Sequence, residues 1–338
     1  MNLENANREI IENHAVEYLL QMGFFNHKLC NNNKKPCMNV KCALKRRRRT
    51  ANAVLSIINW RCPRCQTFYT LNEGTFFEQF KLPVFEILSI IKCWSLELTI
   101  CKKIDYLRMD NTAICRQTIA KIFKAIRMVC SVALNKKEIR LGGENLTVQI
   151  DESLFAKMKH HVGKDLARKQ VWVFGMVDVK FDLIYFQCVP DRTASTLLSI
   201  IYEHVVPDTT VNSDCWPSYN KISLLHQSKL KHQTVNHKYN FVDPTSSTHT
   251  NKIESKWCVA KVKFKDIRGC TRMYIQYYLD EFMWRQNNKL DRKTAFDEIF
   301  KAMKKVYDSV EYREIQNEID DDIGMQICKR HILSKLKQ

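Results

Sequence analysis

Three acids far apart in the chain, Asp151, Asp214 and Glu254, have the residue type and the placement to hold divalent cations. Asp151 closes the alternating apolar run LTVQID and opens Asp-Glu-Ser rather than a glycine or proline turn. Asp214 follows a β-rich stretch, and Glu254 lies on a segment with helical spacing. Mg²⁺ and Mn²⁺ prefer carboxylate oxygen, so acids drawn from separate elements are suitable ligands. The chemistry such a set supports is phosphoryl transfer with two ions about 3.5–4 Å apart, one activating the attacking oxygen and one stabilising the leaving oxygen. Glu152 is adjacent, but strand alternation turns it to the other face. Trp257 and Lys261 share a helix face with Glu254, which would put a basic group beside the acids for a phosphate; an exposed Glu and Lys pair has the same spacing.

A second group of candidate ligands lies upstream. Of 14 cysteines, Cys30, Cys37, Cys42, Cys62 and Cys65 fall in one short stretch. Cys62 and Cys65 form a C-x2-C knuckle suited to zinc, and Cys37 and Cys42 offer a second pair at the wider C-x4-C spacing. Cys30 or His27 is the alternative for one member of that pair. The other cysteines are scattered singly through apolar surroundings, as in a reducing compartment where they pack rather than pair.

The elements that must position these groups change type along the chain. Ile10, Ile11, Ala15, Tyr18, Leu19 and Met22 predict an opening helix, followed by the cysteine-rich segment to about residue 75. Helical patterns recur from Leu82 to about Leu134, with one helix around Phe85 to Leu96 and another over Thr118 to Val132. A turn at Met109 to Thr112 precedes the second, so this is either a helix-turn-helix module or a pair of packed helices. After Gly142 and Gly143 three β-rich runs follow, at 146–151, 171–179 and 182–189. A helix from Thr193 to Val205, capped by Thr193 or Ser195, a strand from Thr210 to Asn212, a short helix, a weak strand at Gln233 to Val235 and a helix from Asn251 complete the order β-β-β-α-β-α-β-α. That is the order of a ribonuclease H-like fold, so the fold class is mixed α/β. The stretch from Thr294 to Ile319 is helical, with Phe296, Ile299, Met303 and Val306 on one side, either as an interaction helix or as a cap on the catalytic core.

Charge points to a polyanionic partner: 54 Lys and Arg face 36 Asp and Glu in 338 residues, a formal +18. Residues 26–50 hold nine of the basic residues and no acid, ending in Lys45, Arg46, Arg47, Arg48 and Arg49, which would give DNA affinity or a nuclear import signal. The polar start and the lack of a long apolar run exclude a secretory signal and a membrane span, so an intracellular protein is expected, nuclear in a eukaryote. Neither GxxxxGK nor GxGxxG occurs, so nucleotide-driven and nicotinamide chemistry have no support.

The wording of several stretches is more specific than any of these signals. IDESLFAKMKHH from Ile150, VWVFGMVD from Val171, VPDRTASTL from Val189, SDCWPSYN from Ser213, TVNHKYNFVDPTSSTHTNKIESKW from Thr234 and YLDEFMWR from Tyr278 occur in order between Val148 and Trp284. This segment resembles the Merlin superfamily of DDE transposases and its bacterial insertion-sequence relatives. The resemblance implies a ribonuclease H-like catalytic domain, cut-and-paste transposition and metal ligation by Asp151, Asp214 and Glu254, with His249 and Asn251 as further near-site residues. Upstream, WRCPRCQTFYTLNEGTFFEQFKLPV from Trp60 is similar to the zinc ribbon and leader of these relatives.

The expected organisation is a helix and zinc-ribbon-like DNA-binding region over 1–78, a helical region over 79–140, the catalytic domain over 141–290 and a helical region over 291–338. The expected partners are double-stranded DNA, as terminal inverted repeats and target, and a second copy of the chain for synapsis. Two other functions fit the same residues: a domesticated, catalytically inactive DNA-binding protein, and a nuclease that cuts without joining.

Overall fold

The computed structural model describes residues 3–30, 37, 40–48, 56–109, 114–156, 170–225, 229–236, 239, 242–244, 248–267 and 270–307. The chain forms two compact units, one from residues 1–129 and 296–338 and the other from residues 130–295. In chain order the helices and strands are α1 (Leu3–Gln21), β1 (Ala43–Arg48), β2 (Ser56–Arg61), β3 (Phe68–Thr70), α2 (Val84–Ser95), α3 (Ile100–Met109) and α4 (Arg116–Ala133). They continue as β4 (Thr147–Ala156), β5 (Val171–Asp178), β6 (Ile184–Val189), α5 (Ala194–His204), β7 (Thr210–Asp214), β8 (Lys231–Val235), α6 (Asn251–Asp266), α7 (Ile275–Asn287) and α8 (Thr294–Val306). Among the described residues no helix is long and apolar enough to cross a membrane.

In the first unit, β1, β2 and β3 pair antiparallel in that order. Helix α1 buries Ala15, Val16 and Leu19 at helical spacing. Its Glu12 is also buried, because both carboxylate oxygens accept backbone N–H groups that open α2, from Val84 at 3.0 Å and Phe85 at 2.9 Å. Pro83 at the head of α2 offers no side-chain cap, so a residue from another helix satisfies donors that would otherwise be orphaned. Helix α3 lies within the helical stretch expected from Leu82 to Leu134, where it was not delimited as a separate helix, and its Lys103 is fully buried. Its ammonium donates to the Ser89 carbonyl, the Ser89 hydroxyl and Cys93 Sγ. The apolar side of α8 packs within this unit, with Phe300 edge-on to Tyr18 and Phe24. The expected cap on the catalytic core is therefore corrected: Ile299, Met303 and Val306 are buried in the N-terminal unit. Residues 308–319 of that expected helix, and 110–112 of the expected turn, lie outside the described residues.

The second unit is built on a five-stranded mixed sheet of order β6-β5-β4-β7-β8. Strands β4, β5 and β6 form an antiparallel meander, whereas β7 runs parallel to β4 and β8 parallel to β7. This is the ribonuclease H-like strand order. Alternation assigns the two faces: Val148, Ile150, Phe174, Met176 and Tyr185 join Leu197 and Ile201 of α5 in one core, while Phe186 on the opposite face stacks on Trp257 of α6 and Phe282 of α7. Where a short helix was expected after β7, two 3-10 turns at Pro217–Tyr219 and Ile222–Leu224 follow instead, the first opening on Pro217. The strand holding Asp151 runs on to Ala156, so this acid sits in mid-strand rather than at the strand end.

Candidate active site and candidate metal centre

The parallel pairing of β4 with β7 matches Thr147 to Thr210, Val148 to Val211 and Gln149 to Asn212, and then ends. Asp151 and Asp214 each follow the last pair by two residues, just past the point where the two strands stop pairing. Both side chains lie on the face covered by α6, because Gln149 and Asp151 are two apart on one strand and Asn212 and Asp214 two apart on the other. Glu254 stands in the first turn of α6. The proximity shows in the Asp151 carboxyl. Burial pushes it up to about 6, and the negative charges of Asp214 and Glu254 add to the rise.

Each acid has a neighbour that orients it. Trp257 Nε1 donates to Asp151 Oδ2 at 3.0 Å, the Trp216 backbone N–H donates to Asp214 Oδ1 at 3.0 Å, and the Thr250 hydroxyl donates to Glu254 Oε1 at 3.0 Å. Gln149, almost fully buried, holds α6 itself. Its Oε1 accepts from the backbone N–H groups of Lys252 at 2.9 Å and Ile253 at 3.1 Å, and its Nε2 lies 3.1 Å from His249 Nδ1. The helix that carries Glu254 is thus capped from the strand that carries Asp151. His249 joins this network through Gln149, while Asn251 is exposed at the head of α6.

Glu152 points to the opposite face of the sheet, as alternation requires. Burial pushes its carboxyl up to about 7; the Tyr219 phenol opposes the rise, the charges of Asp151 and Asp214 add to it, and the Arg192 charge opposes it. Glu152 Oε1 and Tyr219 Oη are both buried, and neither makes a hydrogen bond of ordinary geometry. Lys261, expected beside the acids, is half-buried with its ammonium 5.9 Å from the centre of the Phe155 ring.

In the N-terminal unit the sulfurs of Cys30, Cys37, Cys62 and Cys65 all lie within 4.8 Å of one another. Cys42, expected as a ligand, is not in this group. It is buried close by, with its thiol 3.9 Å from the Val40 carbonyl oxygen, and Cys30 takes the place assigned to it. Backbone pairing between Cys30 and Val40, and between Lys28 and Cys42, brings the two chain segments together in a short antiparallel bridge. His27 instead packs against Trp60 at 5.6 Å. A tetrathiolate zinc site with metal–sulfur bonds of about 2.3 Å puts its sulfurs roughly 3.8 Å apart, and Cys30 and Cys65 stand at 3.6 Å. The four thiols therefore fit a tetrahedral ion. Hydrogen bonding with the Thr67 hydroxyl and backbone draws the Cys65 thiol down to about 6, while burial and its cysteine neighbours push Cys37 up to about 12.

The basic run is divided by strand alternation. Arg47 faces Phe68 at 5.0 Å, whereas Arg46 turns to α1, where it pairs with Glu9 at 3.7 Å and donates to Asn13 Oδ1 at 2.7 Å. Lys45 is exposed, Arg48 ends β1, and Arg49 lies outside the described residues.

Sequence reasoning passed over three groups: Gln149, Gly175 and Arg192. Gln149 was legible as an amide two residues before Asp151 on an apolar strand. The other two carry no signal until the strands are paired.

A family model described as the ISXO2-like transposase domain matches residues 140–287. An uncharacterized transposase-like protein of Haemophilus influenzae is 33% identical over 105 residues, spanning 31% of this chain and 81% of that relative. Among solved structures, the HTLV-2 integrase catalytic core domain in complex with magnesium is 14% identical with a TM-score of 0.29, over 46% of this chain and 97% of that one. The catalytic core domain of BIV integrase is 15% identical with a TM-score of 0.31, over 45% and 93%.

Proposed function

Because the chain belongs to the transposase family marked by the ISXO2-like transposase domain, we propose that it is a DDE-type DNA transposase that cuts and joins the ends of a DNA transposon. The observation that carries this reading is that Asp151 and Asp214 each lie two residues past the last pair of neighbouring parallel strands, with the charges of Asp214 and Glu254 both felt at Asp151. The Merlin-like wording from Val148 to Trp284 supports assignment to that branch.

In this reading Asp151, Asp214 and Glu254 hold two Mg²⁺ or Mn²⁺ ions. When bound, the ions would lower the charge on the reacting phosphate oxygens and ready an oxygen nucleophile. The chain's own part is positional. Trp257, Trp216 and Thr250 each hold one carboxylate oxygen by a hydrogen bond, and Gln149 keeps α6 seated on the sheet. Hydrolysis of a phosphodiester leaves a DNA 3′-hydroxyl. That hydroxyl then displaces a second 3′-oxygen from phosphorus in the target, one P–O bond forming as another breaks, so no nucleotide fuel is consumed. Zinc in the four-cysteine group would brace the β1–β3 sheet, and Lys45 and Arg47 would add sequence-independent affinity for terminal repeats and target. Synapsis of two ends calls for at least two copies of the chain, acting in the nucleus if the host is a eukaryote.

The test is strand transfer in vitro on DNA carrying the element's ends, with Mg²⁺, comparing wild type with Asp151→Ala and Asp214→Ala. Joined products from wild type and none from the variants are expected. Equal activity in all three would sink the metal assignment, cutting without joining would leave a nuclease, and tight binding with no chemistry in wild type would leave a domesticated DNA-binding protein.

A further inference from the structure

Arg192 lies between two indole rings. Its guanidinium carbon is 3.9 Å from the centre of the Trp172 ring and 4.4 Å from that of Trp216. A planar cation held between two aromatic faces gives up rotamer freedom but keeps the N–H donors on its edges available. The backbone is held as well. The Arg192 carbonyl accepts from Ser218 Oγ at 2.8 Å and Trp216 Nε1 at 3.4 Å, and Asp191 beside it accepts from the Thr193 backbone, the Thr193 hydroxyl and the Thr196 hydroxyl. Thr193 stands at the N-cap of α5, as expected, but makes no side-chain capping hydrogen bond. Among the described residues the guanidinium has neither a hydrogen bond nor an ion pair. Its link to the candidate acids runs through Trp216, whose ring packs on the guanidinium and whose backbone N–H donates to Asp214.

A cluster of acids repels a DNA backbone, so a strand that is to reach it needs fixed positive charge close by. We propose that Arg192 is a phosphate-binding residue for the DNA strand entering the carboxylate cluster, with Trp172 and Trp216 as the walls that hold its guanidinium ready. The inference rests on the transposase reading and adds a substrate contact to it. An arginine fits this role better than a lysine, because its forked donors match two oxygens of one phosphate.

The test uses the full chain, a short fluorescent DNA duplex of random sequence, and the variants Arg192→Gln, Arg192→Lys and Arg140→Gln. Arg140 is an exposed cation outside the cluster that bonds only to the carbonyls of Lys137 and Ile139. Affinity is measured in Ca²⁺ over a range of salt, and cleavage in Mn²⁺ on a duplex that carries the element's ends. In Arg192→Gln the slope of log K against log salt should fall by about 0.9, the value for one phosphate contact. Affinity should fall about tenfold, and KM should rise by a similar factor with kcat within about twofold of wild type. Arg192→Lys should keep the slope and lose affinity.

An unchanged slope in Arg192→Gln, an equal loss in Arg140→Gln, or a fall in kcat at constant KM would overturn the proposal; the last is what a purely structural role through Trp216 or Glu152 produces. If Arg192→Gln does not fold, Arg192→Lys decides, since wild-type affinity there would refute a forked contact. Absence of any cleavage by wild type would count against the transposase reading alone, because the salt slope still reports on Arg192.

Discussion

Trp257 stands in the space that a side chain on Gly175 would fill: a Cβ added at Gly175 would come within 2.4 Å of two carbons of the indole ring. Gly175 pairs directly with Asp151 across the sheet. The missing side chain lets the indole lie flat against β5 and turn its N–H to the Asp151 carboxylate. Gly175→Ala should therefore displace the ring, and Trp257→Phe should keep the packing while removing the donor. We expect DNA cleavage by Trp257→Phe to fall roughly tenfold, the loss of one charge-assisted hydrogen bond of about 1.5 kcal/mol, with a near-native melting temperature. Gly175→Ala should lose both activity and stability. Full activity in Trp257→Phe would show that the contact does not orient Asp151.

The buried carboxyls set a pH dependence. Asp151 and Glu152 are raised to about 6 and about 7 in the folded protein, above their unfolded values near 4. A group raised on folding contributes stability that is complete below its unfolded pKa and is lost as pH rises through the folded one. Without divalent cations the melting temperature should thus drop between pH 4 and pH 7, and millimolar Mg²⁺ or Mn²⁺ should restore it at the upper end. Asp151→Asn should flatten the profile and abolish the response to cation. A profile unchanged by the substitution would contradict the assignment.

Metal content separates the two cysteine sets. Wild type and Cys42→Ser should each bind one equivalent of Zn²⁺, whereas Cys30→Ser and Cys65→Ser should lose it and melt at lower temperature. Zinc per chain after dialysis is the measurement. Loss of zinc from Cys42→Ser with retention in Cys30→Ser would restore the spacing-based ligand set.

Glu12 replaces the cap that Pro83 cannot supply, so Glu12→Ala leaves the first donors of α2 unsatisfied in a buried place. Chemical denaturation should show a loss of about 1–2 kcal/mol. Glu12→Gln, which keeps one acceptor, should lose less. Equal stability of wild type and Glu12→Ala would mean that water reaches the head of α2.

Local pattern decides only what neighbours along the chain can decide. Alternation in VWVFGMVD, helical spacing in Thr193 to Val205 and the C-x2-C knuckle are properties of a few consecutive residues, and each element appears where its pattern lies. The same alternation settled in advance that Asp151 and Glu152 face opposite ways. The bounds of α3 inside the helical stretch from Leu82 to Leu134 were not legible, since a lysine fills a core position made acceptable by Ser89 and Cys93 on another helix. Cys30 displaced Cys42 from the thiol group for a related reason: spacing counts residues, whereas a metal site depends on where sulfur atoms end up once two chain segments pair. The placement of Asp151 and Asp214 just past the end of one parallel pairing, the room left by Gly175 and the two rings around Arg192 all depend on strand register. Register is settled when the sheet is assembled and its two faces are buried, and no stretch of consecutive residues contains it.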